Sequence, residues 1–158
     1  MATATVPVQA KRTAPRDSQR GRLYKWERAL PGWPGRTVDL VEAQALVTGW
    51  WLAYHGPLSS PPLVSDGRGR QSACGDRLRI ALPRAARTQG YLAHEMAHSL
   101  TWVYLPPHGS TFVRVLIDLF ADIDLGRKDD LLKSARAVGL RIGTSYASPR
   151  QRRTARRR

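Results

Sequence analysis

A chain of 158 residues with 42% hydrophobic content can bury one core, which excludes the fibrous and wholly disordered classes. The formal net charge of +14 points to acidic partners or basic tails, and a lone cysteine, Cys74, excludes an internal disulfide or a cysteine-only metal site. No apolar run approaches the roughly 18 to 20 residues that span a bilayer, and the first thirty residues lack an apolar signal core, so a cytoplasmic monomer with no membrane partner is expected.

The charge is concentrated at the ends. Residues 1–22 carry five Lys/Arg against Asp17, and "RQRRTARRR" at 150–158 carries six arginines and no acid, leaving +4 for residues 23–149. Residues 1–22, without apolar periodicity, read as a disordered basic arm. Residues 147–158 read as a disordered arginine-rich tail, and 23–146 as the folded domain. Such tails can bind nucleic acid without sequence preference, or simply solubilise the chain.

"LPGWPGRTV" is a Pro/Gly-punctuated approach with Trp33 as an anchor. The first predicted helix runs from Asp39 to Tyr54: Asp39 and Glu42 suit a capping box, and Ala43, Leu46, Val47, Trp50 and Trp51 form an apolar stripe that ends at Gly56. Short strands are expected at Leu63–Val64 and Arg77–Leu82, the latter with Leu78, Ile80 and Leu82 on one side. Three helices follow, at Thr88–Val103, Thr111–Ile123 and Asp129–Val138, the last ending at Gly139. The expected fold is α+β: a small, mostly antiparallel sheet packed against helices, with Thr88–Val103, whose histidines suggest a metal site, as the central helix.

Residues 92–112, "LAHEMAHSLTWVYLPPHGSTF", hold three of the chain's four histidines. His94 and His98, four apart on a helix, share one face and can grip one ion. Glu95, beside the first ligand, is placed to take a proton from a water that attacks a carbonyl. A catalytic zinc site usually has three protein ligands, and His108, in the turn after the double proline, is the candidate third, fixed by the packing of Phe112. Asp118 and Asp122 are its rivals, as ligands, as acceptors from a ligating histidine, or as surface residues. Tyr91 and Tyr104 are candidates to stabilise an oxyanion. Arg77, Arg79 and Arg84 either hold an acidic substrate or form a solvated strand face, and His55 is read as structural or exposed.

On the residues "HEMAH…HGSTF" the chain resembles the SprT-like and related minimal zinc-dependent metallopeptidases, and more narrowly the short metallohydrolases of actinobacteria and their phages. The resemblance is strong over 92–112 and extends weakly over 39–125. It implies Zn²⁺ held by His94, His98 and His108, Glu95 as the catalytic base, a peptide or protein substrate, and a sheet edge lining the cleft. The chain departs from many SprT-like proteins in having no C-terminal cysteine ribbon. The alternative reading is a basic nucleic-acid-associated protein in which zinc is structural; a fourth protein ligand would favour it.

Overall fold

The computed structural model describes residues 15–104 and 106–144. In chain order they form α1 (Arg20–Ala29), α2 (Leu40–His55), β1 (Leu63–Asp66), β2 (Cys74–Gly75), β3 (Arg79–Leu82), a single 3₁₀ turn at Arg84–Ala86, α3 (Gln89–Thr101), α4 (Ser110–Asp122) and α5 (Lys128–Ala137). The class is α+β as expected, and the sheet is mixed. Its order is β1-β3-β2, with β1 parallel to β3 from Leu63↔Arg79 to Asp66↔Leu82 and β2 antiparallel to β3 through Cys74↔Ala81 and Gly75↔Ile80. The expected antiparallel pairing therefore holds only for the two-residue β2 ladder. The longer pair is parallel because residues 67–78 give β3 the dozen-residue return path that parallel neighbours require.

The sequence-predicted helices form within two residues of their expected bounds, for the reasons anticipated. Asp39 caps α2 by accepting the Glu42 amide at 2.8 Å, and Gly139, at φ +74°, closes α5 with its amide on the Arg136 carbonyl. The strand before the metal helix is shorter than expected. Asp76 Oδ1 accepts the amides of Leu78 and Arg79, a turn that delays β3 to Arg79 and leaves Leu78 exposed while Ile80 and Leu82 are buried.

Two corrections concern the N-terminal region. Of the expected arm at 1–22, residues 1–14 lie outside the described residues, as does the expected tail at 147–158; residues 15–22 join the domain, with Gln19 buried and α1 beginning at Arg20. The helix α1 itself was not anticipated. It is held by Leu23, Trp26 and Leu30, all buried, with the Trp26 ring stacked on Phe120 at 6.0 Å and its indole N–H donating to Ser134.

At the centre lies α3, buried on nearly every side through Leu92, Ala93, Met96, Ala97 and Leu100, as a helix must be when α2, α4 and the sheet all pack on it. The edge strand β2 rests on this helix without a side chain between them. A Cβ at Gly75 would stand 2.6 Å from the Glu95 carbonyl, so only glycine allows this approach. The Ser99 hydroxyl, donating to the Asp76 carbonyl at 2.5 Å, holds the next residue against the same helix. Among the described residues no helix is long and apolar enough to cross a membrane.

Candidate metal centre

The three histidines predicted from the sequence come together. His94 and His98 project one turn apart from α3, and His108 enters from the loop before α4; one ligand atom from each lies within 4.8 Å of the others, close enough for a single ion to draw them together. This buried group can hold a metal ion. Phe112, fully buried on the first turn of α4, supports all three imidazoles at ring-centroid distances of 5.2, 4.5 and 5.0 Å for His94, His98 and His108. The loop carrying His108 is fixed through its backbone: the buried Gln19 amide donates to the His108 carbonyl at 2.7 Å, while its oxygen accepts the Arg141 amide.

Two carboxylates orient the imidazoles. His94 Nδ1 lies 2.6 Å from Glu27 Oε1, and His108 Nδ1 lies 2.6 Å from Asp17 Oδ2. Because an ionised carboxylate only accepts, both Nδ1 atoms carry the proton and both Nε2 lone pairs are left for a ligand. Tyr24 stands between the two rings, 5.5 Å from His94 and 5.3 Å from His108, with its hydroxyl 3.3 Å from His108 Nε2.

Burial and these partners set the charge states. Burial is the largest influence on His94 and disfavours its cation, but the hydrogen bond and charge of Glu27, with the charge of Glu95, outweigh it and raise the pKa. His98 has no carboxylate partner among the described residues, so burial, then the neighbouring His94 and His108, push its pKa down to about 3. His108 is lowered by burial, partly offset by Asp17. Glu95 is raised by burial against the opposing pull of His94 and a hydrogen bond from the Gly75 amide. Tyr24 is also raised by burial, so its phenol keeps its proton at neutral pH.

Glu95, His94 and His98 line a cavity of about 570 Å³ whose far walls are α1, the β2 edge and the aromatic pair Trp33–Tyr91. A second cavity of about 420 Å³ meets His98 and Gly75 from the other side of β2 and is bordered by Leu78, Trp102 and Tyr104. The structure thus puts Tyr91 and Tyr104 in different cavities. Among the remaining candidates, Arg77 also borders the second cavity. Asp118 pairs with Lys128 at 2.8 Å and Arg114 at 3.4 Å and accepts from no histidine, because α4 turns that face toward α5; Asp122 accepts the Trp50 indole N–H. His55 stacks on Trp51 at 4.0 Å; Arg77 covers the same indole at 4.2 Å, and Arg84 borders a separate cavity with Asp66 and Arg87.

Asp17, Gln19, Tyr24 and Glu27 escaped the sequence reading because they precede their histidine partners by 67 to 91 residues, in a stretch that reads as arm up to residue 22 and carries no predicted element just beyond it. The available signal was Leu23, Trp26, Glu27 and Leu30, spaced as one helix face. Glu27→Gln and Asp17→Asn are each expected to weaken metal binding by about 10- to 100-fold, since each imidazole loses the acceptor that fixes its tautomer. Competition with a zinc-specific chelator measures this; wild-type affinity in both variants would reduce the two contacts to packing. Among known proteins, no family model, no curated protein and no solved structure matches this chain.

Proposed function

We propose that the chain is a zinc-dependent hydrolase, and specifically a metallopeptidase. The observation that carries this reading is that one ligand atom from each of His94, His98 and His108 lies within 4.8 Å of the others, with Glu95 on the wall of the cavity that His94 and His98 border. The donor set suits the ion: three imidazoles, two of them held at Nδ1 by carboxylates so that Nε2 is the atom left to ligate, are a set that zinc accepts. When bound, the ion supplies a Lewis acid for a carbonyl and a water reactive near neutral pH.

The chain's own residues supply the rest. Glu95 accepts the proton of the attacking water and delivers it to the leaving nitrogen, and its burial-raised pKa makes it a stronger base than a solvated carboxylate. Tyr24 keeps its phenolic proton and stands beside His108 Nε2, where it can donate to the oxyanion that develops as the carbonyl is attacked. The resemblance of residues 92–112 to SprT-like peptidases supports the same assignment. A structural ion would take a fourth protein ligand, whereas the group among the described residues consists of three histidines.

The test is cleavage of an unfolded protein substrate by the full chain, with and without stoichiometric zinc. Cleavage should appear with zinc, vanish with chelator and return on adding zinc back. In the same assay Tyr24→Phe should lower kcat by about 10²-fold with little change in KM or zinc content. Zinc-loaded wild type that cuts no peptide bond would overturn the peptidase reading.

A further inference from the structure

One face of α1 carries more than the metal centre uses. Arg20, Tyr24, Glu27 and Arg28 all line the 570 Å³ cavity, as their spacing of four, three and one residues along a helix allows. Glu27 and Tyr24 are accounted for by the histidines. The two arginines are not: Arg20 lies over the Tyr24 ring at 5.5 Å, and neither guanidinium has a carboxylate partner among the described residues. Some arginines elsewhere on the domain pair with acids, as Arg36 does with Glu42 and Arg87 with Asp66 at 3.0 Å, but Arg20 and Arg28 face the cleft instead.

From these features we infer that Arg20 and Arg28 form an anion-recognising rail along the cleft, selecting peptide segments with acidic side chains near the bond to be cut. This inference rests on the peptidase reading and gives it a substrate class. The two arginines balance Glu27 and Glu95 in formal charge, so a divalent ion held by the histidines would leave the cavity positive. Eight residues of helix separate the arginines by about 12 Å along the axis. An extended peptide covers that distance in about four residues, so acids four apart can meet both guanidiniums. The two carboxylates on the same walls oppose a continuous polyphosphate backbone, so the pattern fits discrete acidic side chains better than nucleic acid. Trp33 and Tyr91, packed edge to face at 5.3 Å, give the neighbouring residues an apolar wall.

Binding can be read apart from cleavage by using the full chain with Glu95→Gln, loaded with zinc. Fluorescent peptides with two glutamates four residues apart are compared, by polarisation, with the matching glutamine peptides. The acidic peptide should bind about tenfold tighter, and Arg20→Ala with Arg28→Ala should bring the two within about twofold. Arg20→Glu with Arg28→Glu should reverse the order for a lysine peptide. The terminal basic segments are unchanged in all these proteins, so their attraction cancels when one peptide is compared between proteins, and measuring at about 0.5 M salt screens it between peptides; circular dichroism and zinc content establish that each variant is folded. An acid preference that survives loss of both arginines overturns the rail, as does an oligonucleotide of equal length displacing the peptide from both arginines. Wild type that cuts peptides with no acid preference also overturns it and leaves the peptidase reading standing. Wild type that cuts nothing, beside arginine-dependent binding of acidic peptides, overturns the peptidase reading and leaves the rail.

Discussion

Replacing Glu95 by glutamine is expected to lower kcat for peptide cleavage by at least about 10³-fold while leaving about one zinc ion per chain. Glutamine matches glutamate in shape and its carbonyl oxygen can still accept the Gly75 amide, so the packing of β2 on α3 is retained. What is removed is the basic oxygen that takes the water's proton. Because burial disfavours the Glu95 carboxylate, losing the charge should leave thermal stability unchanged or slightly raised, which separates a chemical defect from a folding one. Zinc content by elemental analysis, thermal melting and steady-state cleavage form the measurement. E95Q cleaving at the wild-type rate would remove Glu95 from the mechanism.

His108→Ala is expected to bring zinc content near zero on protein purified without added metal, where wild type carries about one zinc per chain. The loss should exceed the about 10- to 100-fold weakening expected from the carboxylate variants, because a ligand disappears rather than its orientation. The substitution is informative because the loop does not depend on the imidazole for its position. Gln19 holds the His108 carbonyl, Gly109 bonds the Pro106 carbonyl at 2.9 Å, and Phe112 remains buried behind the loop. A folded His108→Ala protein that retains a full complement of zinc would show that His94 and His98 bind it with a different third group. Wild type that contains no zinc and refuses added zinc would overturn the metal assignment and return attention to the basic segments.

The legible parts of this protein share a physical cause, which is proximity in sequence. His94, Glu95 and His98 are one helical turn of chain, so their common face follows from helix geometry once α3 is recognised by its apolar neighbours Leu92, Met96 and Leu100. His108 is ten residues further on, across a break marked by Pro106 and Pro107, and the pull of Phe112 into the core was enough to place it. The capped helix α2 and the glycine-ended α5 were readable for the same reason, since caps and stripes are local signals.

The parts that were not legible depend on chain segments that meet only in the folded state. α1 has ten residues, no side-chain N-cap, Gly21 near its start and a polar composition, so alone it would be a marginal helix; it forms because Leu23 and Trp26 dock on the core. From that docking come Glu27 against His94, Tyr24 against His108, and the two arginines along the cleft, across sequence separations of 67 and 84 residues for the first two contacts. Strand β2 is two residues long and carries no alternation to detect, yet Gly75 fits against Glu95 because β3 holds it there. By itself the sequence determined that His94, His98 and His108 could meet around one ion with Glu95 beside them, because their spacing is a property of one helix and one turn. Only the tertiary structure decided which carboxylates orient the histidines, where Asp118 points, and what lines the cleft, because those contacts exist only after long-range burial brings α1 and β2 to α3.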